Sequence, residues 1–525
     1  MIALLLVVAL GLSLYTLHEL WPKGWAAARD ALRLIGRPTT SALASPSLLG
    51  PQGTRTRFAG LAGEGAAPWV LFAVALLLRV PFLETTPNTV TADELDYAGD
   101  ALQILIGRGP SFFGLDWTGQ PALSLYLHVW SWQLFGATVF AERLPSALLT
   151  ALVVFPFYSL ARRYVSGTAA FCASLLFVSA HWFLLFSRSG WNVPHVLLYM
   201  LVAAWALTKA LEQRRGRYWL VFGICLALLL YGYLPGRIVA LSFALYLGGV
   251  LAQRGRTRNA PAVGPVLWGG LASAVLAIAL FSPQLGAILT HYDSFTERAR
   301  AVYIFSSPPP PGQSHASILG QQALITLRSY VLLDSALEGN YENARYKIPG
   351  QAWLDPLTAT LYIVGLALSL LRWRRSQQSS ALWWLLLILP VGVTHLLTSD
   401  IPNGGRAITA LAPMCFFAAI TLDTLLGIPW RGRRYVPGAL TALVVVAALY
   451  NVVDYASWVN SPVSQAARQP AVPVSAFYTW RDFQQARLWE HMGIMNAGEY
   501  DQTSPSVILD QITRGPGLLG TAKHP

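Results

Sequence analysis

The run Thr91-Ala92-Asp93-Glu94-Leu95-Asp96-Tyr97 holds the residues best suited to chemistry, and it follows an apolar stretch that ends near Leu83. Carboxylates just off a membrane helix suit a base that takes the proton from a hydroxyl at the bilayer face. An ionised Asp at the hydrocarbon centre costs about 2.5–3.5 kcal/mol on insertion scales, so acids beside a bilayer call for a reason. Asp93 is the candidate general base, and Glu94 its partner in positioning acceptor or base. Asp96 is the second choice, about a turn away. The same residues also fit a structural reading. Thr91-x-x-Glu94 matches a capping box, and acids favour a helix N-terminus. Both readings hold together if the cap fixes its neighbour, Asp93.

The elements that would carry these acids follow from periodicity. Apolar residues recur at Leu95, Ala98, Leu102 and Leu105, a helical spacing with one apolar face. The expectation is a helix lying along the membrane, apolar side down, with Asp93 and Glu94 at its N-terminus. Around it the 84–142 stretch is acidic, with Glu84, Asp100, Asp116 and Glu142.

Composition sets the class. The 525 residues are 54% hydrophobic and 12% charged. Soluble domains carry about 25% charged residues, so this is a polytopic membrane protein, all-α by its long apolar runs. The net charge of +12 does not point to nucleic acid. Its basic residues cluster between apolar runs, at Arg162/Arg163, Arg214/Arg215/Arg217, Arg254/Arg256/Arg258, Arg372/Arg374/Arg375 and Arg431/Arg433/Arg434. Such clusters mark cytoplasmic loops. Cys172, Cys225 and Cys415 sit in apolar segments and read as small core residues.

Spans are expected at about 66–83, 143–161, 168–187, 193–211, 217–234, 236–253, 264–289, 355–373, 381–398, 405–427 and 436–455. Keeping the basic clusters inside puts 84–142, 291–354 and 456–525 outside. Pro121–Gly136 is apolar, but a span there would invert every later cluster, so it is expected as a helix in the outer face. Ile2–Leu20 reads as an extra N-terminal span followed by a cytoplasmic linker, together residues 1–65. The core domain is 66–455, and 456–525 a short outer-face tail. The proline run Pro308–Pro311 implies a stiff segment in the second outer loop.

Several motifs appear in a telling order. After the Asp93-Glu94 and Tyr97 cluster come Thr118-Gly119-Gln120-Pro121-Ala122-Leu123 and Ala141-Glu142-Arg143-Leu144-Pro145-Ser146. Phe186-Ser187-Arg188, Tyr231-Gly232-Tyr233-Leu234-Pro235-Gly236-Arg237, Asn343-Ala344-Arg345-Tyr346-Lys347 and Asn403-Gly404-Gly405-Arg406 follow. This order resembles the GT-C membrane glycosyltransferases, in particular bacterial members of the protein O-mannosyltransferase and lipid A aminoarabinose transferase superfamily, a glycosyltransferase family 39-like group. The resemblance spans roughly 66–455.

It implies a GT-C helical bundle with juxtamembrane helices in the first outer loop. It also implies transfer of a sugar, with inversion, from a polyprenyl-phosphate donor to a lipid, protein or glycan hydroxyl. The setting would be the outer face of a bacterial inner membrane. Such a reaction needs a base and cations for the leaving phosphate. Arg237, Arg188 and Arg406 fall at outer span ends and are the candidates, each equally able to snorkel to headgroups. Tyr97, Gln120 and Asn192 are expected in the substrate pocket. Two departures stand out. Aminoarabinose transferases have lysine where Gln120 stands and a second proline at Ala122, and many relatives carry an acid at Asn192.

His181, His195 and His291 lack metal-ligand spacing and read as packed or headgroup-contacting; no metal or cofactor is assigned. A transporter or flippase of lipid-linked saccharide remains an alternative, as does a polysaccharide polymerase or ligase. The absence of repeated halves and the gathering of acids in loops favour the transferase.

Overall fold

The computed structural model describes residues 65–105, 107–116, 118–256, 263–331, 348, 351–371, 380–399, 401–428, 435–462, 464, 471–478 and 481. The expected N-terminal span and its linker up to residue 64 lie outside the described residues, as do the clusters at 372–375 and 431–434 and the Asn343–Lys347 motif.

The chain is an all-α membrane protein. Its helices are α1 (Ala67–Arg79), α2 (Ala92–Leu105), α3 (Leu125–Phe135), α4 (Val139–Leu152), α5 (Val154–Ala161), α6 (Gly167–Ser179), α7 (His181–Ser187), α8 (His195–Gln213) and α9 (Gly216–Tyr231). They continue as α10 (Pro235–Arg256), α11 (Val263–Thr290), α12 (Tyr292–Val302), α13 (His315–Val331), α14 (Pro356–Leu371), α15 (Ala381–Pro390), α16 (Gly404–Ala407), α17 (Leu411–Gly427) and α18 (Val436–Val459). Among the described residues, six segments are long and apolar enough to cross a membrane, or seven if the bent pair α6–α7 counts as one. Shorter apolar helices α1, α9, α14 and α15 complete the bundle. α11 and α18 are apolar yet have only 22% and 28% of their most apolar window buried, so they present lipid-facing surfaces.

Local chemistry sets the helix ends. Pro68 opens α1, where a missing N–H costs nothing. The Thr138 hydroxyl caps α4 by accepting from the Ala141 N–H. The span 168–187 is broken at Ala180, where α6 and α7 meet at a 54° bend. In the core α14 packs on α17, α9 on α8 and α11, and α6 on α17 and α18. α14 and α17 approach so closely at Gly365 that a Cβ there would strike the Phe417 carbonyl.

Pro121–Gly136 does contain a non-spanning helix. α3 is 11 residues long, about 16 Å, well short of a ~30 Å hydrocarbon core. The expectation for α2 needs correcting. Its apolar face does not lie on lipid. Leu95, Ala98, Ala101 and Leu102 pack instead with Val129 and Trp132 of α3, with Val139 and Ala141 of α4, and with Phe477 from the C-terminal tail. Leu105, assigned to that face from spacing, is exposed. The tail is likewise more than an appendage. Its strand β2 (Ala471–Pro473) pairs antiparallel with β1 (Thr89–Thr91), the strand that leads directly into α2.

Candidate active site

α2 begins with the capping box its sequence implies. The Thr91 N–H and hydroxyl donate to Glu94 Oε2 at 2.9 and 3.1 Å. The other carboxylate oxygen, Oε1, accepts from Arg143 Nε at 2.9 Å and from the Gly190 N–H at 2.9 Å. Arg143 also donates to the carbonyls of Leu83, Pro87 and Thr89. Both side chains are buried. Glu94 is therefore a structural knot with both oxygens occupied, and of its two expected parts, positioning the acceptor or the base, this arrangement suits the second. Asp93, its neighbour, is only partly buried, while Asp96 is buried.

One turn on from Asp93, and on the same helix face, stands Tyr97. Tyr97 is hydrogen-bonded to Ser124, which accepts from Asn192 Nδ2 at 2.9 Å. Burial raises the Tyr97 phenol well above the usual tyrosine range, so it is a neutral hydroxyl. Asn192 Oδ1 is buried without a hydrogen-bond partner among the described residues.

The loop before α3 adds a cation. Asp116 Oδ1 accepts from the Thr118 N–H (2.9 Å), the Thr118 hydroxyl (2.6 Å) and the Gln120 N–H (2.8 Å), folding the loop into a tight turn. Burial pushes the Asp116 carboxyl up to about 6, against those hydrogen bonds and the nearby Arg237 charge. Gly119 sits at φ +72°, and a Cβ there would collide with the Ser294 carbonyl of α12. The turn presents the Gln120 side chain, whose Oε1 accepts from Arg237 at 2.8 Å. The Arg237 guanidinium lies 4.7 Å from the Phe295 ring centroid.

Beside this cluster opens an apolar cleft with about 750 Å³ of empty space, including its mouth. Phe112, Phe113, Leu127, Trp130 and Tyr231 line it. It shares Ser124 with the polar cluster, and its wall at Gly232 belongs to the turn that carries Arg237.

The structure thus brings Tyr97, Asn192, Gln120 and Arg237 around one loop. Arg188 is a correction: its guanidinium donates to the carbonyls of Leu78, Arg79, Pro81 and Thr86 at 2.8–3.2 Å, clasping the end of α1. Arg406 is buried in α16 against His395; rings of Phe186 and Trp191 lead from that turn to Tyr233. The histidines are packed or locally bonded, His181 to the Ala352 carbonyl, His195 to Ser146 and His291 to Thr290.

Sequence reasoning missed four contributors. Arg143 stood in the Ala141–Ser146 motif, but its ion pair with Glu94 is long-range. Asp116 carried a local signal, an acid followed by Thr118 and Gly119, which is turn chemistry. His128 and Glu142 form a buried pair behind the site, 3.3 Å apart, with Tyr97 edge-on to the His128 ring.

Residues 119–286, roughly a third of the chain, match the family model described as dolichyl-phosphate-mannose-protein mannosyltransferase. That stretch contains Gln120, Arg143, Asn192 and Arg237. Three solved structures align with the chain, each with a TM-score below 0.5. ArnT from Cupriavidus metallidurans bound to undecaprenyl phosphate has a TM-score of 0.49 at 16% identity, over 85% of this chain and 75% of that one. The Saccharomyces cerevisiae protein O-mannosyltransferase Pmt1-Pmt2 complex bound to the sugar donor scores 0.38 at 18%, over 46% and 35%. The Archaeoglobus fulgidus oligosaccharyltransferase complex with Zn and sulfate scores 0.44 at 15%, over 84% and 57%. No curated protein sequence matches the chain. The likeness to that family is thus carried by residues 119–286 of this chain.

Proposed function

We propose that the protein transfers a sugar from a polyprenyl-phosphate donor to an acceptor hydroxyl at the outer face of a bacterial inner membrane, inverting the anomeric carbon. The observation that carries this reading is the bond between Gln120 and Arg237, which joins the segments that supply Leu123, Ser124 and Gly232 to the wall of the apolar cleft. A cation beside an apolar groove suits a ligand with an anionic head and a hydrocarbon tail. The family description itself names a dolichyl-phosphate-linked sugar.

In this mechanism the tail lies in the cleft, and Arg237 holds the phosphate with a fixed charge and a bidentate fork. Gln120 aims the guanidinium. Tyr97, as a neutral donor, and Asn192 Oδ1, as a buried acceptor, hold hydroxyls of the substrate. Asp93 takes the proton as the acceptor oxygen bonds to the anomeric carbon. The bond from that carbon to the phosphate oxygen breaks, and its electrons leave with the polyprenyl phosphate. Charge balances at each end, with a proton on Asp93 and a phosphate on Arg237.

The test is purified protein in detergent with a radiolabelled polyprenyl-phosphate sugar and no gradient. Transferase action releases polyprenyl phosphate and labels the acceptor. Intact donor after prolonged incubation with candidate acceptors argues for a transporter or flippase instead.

A further inference from the structure

We propose that residues 471–478 and Arg481 form a strap that positions Asp93, with Phe477 and Tyr478 as positioning residues; this rests on the reading of Asp93 as the base. The strap engages every element that sets the direction of the α2 N-terminus. β2 pairs with β1 in the register Thr89↔Pro473, Val90↔Val472 and Thr91↔Ala471, and Asp93 follows Thr91 by two residues. The Val474 N–H donates to the Asn88 carbonyl at 3.1 Å, extending the pairing toward α1. Further up the chain, Asn460 Oδ1 accepts from the Asn88 N–H at 2.9 Å.

Phe477 is fully buried and supplies the apolar anchor. It packs in one cluster with Val90 of β1, with Leu95, Ala98 and Leu102 of α2, and with Trp132 of α3. Tyr478 stacks edge-on to Phe477 and donates its hydroxyl to Glu84, and its oxygen receives the Val139 N–H at 3.3 Å. Glu84 Oε2 also accepts from the Phe140 N–H at 2.5 Å, so the strap reaches the N-terminus of the α4 span. Arg481 closes the loop by donating to the Ala137 carbonyl at 2.8 Å, with its guanidinium 4.9 Å over the Tyr478 ring.

A three-residue ribbon has little stability of its own. β1 keeps its geometry because β2 pairs along one edge, Arg143 and Glu94 take the Thr89 carbonyl and Thr91 N–H on the other, and Phe477 fills the space beneath. The Glu94–Arg143 knot fixes the start of α2 from one side, and the strap fixes it from the other. A base that drifts by about 1 Å loses on the order of 10²-fold in rate. Arg237 stands on α10 and one wall of the cleft on α9 and α11, whereas the strap's hydrogen bonds go to Glu84, Asn88, Ala137 and Val139, so donor binding is separable from positioning.

The experiment uses the full chain with Phe477→Ala, Phe477→Leu and Tyr478→Phe, alongside Asp93→Asn. kcat and donor KM are measured together with amide hydrogen exchange over residues 89–95. Phe477→Ala is expected to lower kcat about 10- to 100-fold with donor KM within about twofold, and to speed exchange in 89–95. Phe477→Leu should recover most of kcat, and Tyr478→Phe should lose less than Phe477→Ala. Unchanged kcat in Phe477→Ala, unchanged exchange, or a rise in KM at constant kcat overturns the strap. If Phe477→Ala does not yield folded protein, the same criteria apply to Tyr478→Phe. Full activity in Asp93→Asn overturns the base itself, whereas an inactive Asp93→Asn beside a fully active Phe477→Ala overturns the strap alone.

Discussion

The Glu94 carboxylate meets the Arg143 guanidinium at 2.9 Å, with both side chains out of solvent. The pair joins β1, α2 and α4 and, through the Gly190 N–H, the turn before α8. Of the two adjacent acids, Glu94 is locked into this joint, and Asp93, partly buried, is the one proposed as the base.

Removing one partner of such a pair leaves a buried charge and costs about 3–5 kcal/mol. Arg143→Ala should accordingly lower thermal stability in detergent or abolish folded yield. A variant as stable as the parent would contradict the role given to the joint.

Arg237 and Arg188 should separate in their effects. Losing a hydrogen bond to a charged group costs about 1.5–3 kcal/mol, roughly a 10- to 100-fold change. Arg237→Gln should raise donor KM by that factor with the fold intact. Arg188→Gln should instead reduce stability, because the end of α1 loses its clasp, while donor KM of the surviving protein stays put. Enzyme kinetics and a melting curve on both variants decide it.

Asp116 makes a pH-dependent prediction. Burial raises its folded pKa to about 6, above the ordinary 3.8 of an aspartate. The stability linked to its protonated form is complete below about pH 4 and is lost as pH rises through about 6. Asp116→Asn keeps an acceptor at Oδ1 and removes the penalised charge. The melting temperature of the variant relative to the parent should therefore climb between pH 4.5 and 7.5, by the equivalent of at most about 3 kcal/mol. A difference that is flat or falls over that range would count against the buried carboxylate.

Legibility followed the range of the interactions. Apolar runs announced the bundle because a helix in lipid must be apolar along most of its length. The run at 143–161 came out as α4 and α5, with a break at Val153 where Pro156 has no N–H to give to the Leu152 carbonyl. Thr91 and Glu94 were readable because a capping box is local. Arg188 was not, since an arginine at a span end looks the same whether it meets phosphate or, as here, carbonyls. Buried ionisable groups looked sparse in sequence, yet Arg79, Glu142 and Arg143 are buried by partners far along the chain. The β1–β2 ribbon was invisible because three-residue strands carry no periodicity to detect.

The most direct measurement is the single-turnover transfer rate of Asp93→Asn against the parent, with labelled polyprenyl-phosphate sugar at saturating donor and folding checked by melting temperature. A general base contributes about 10²–10⁴-fold, so the rate should fall by that factor in a protein that still melts and still binds polyprenyl phosphate like the parent. Transfer at the parental rate would contradict the assignment of Asp93 as the base.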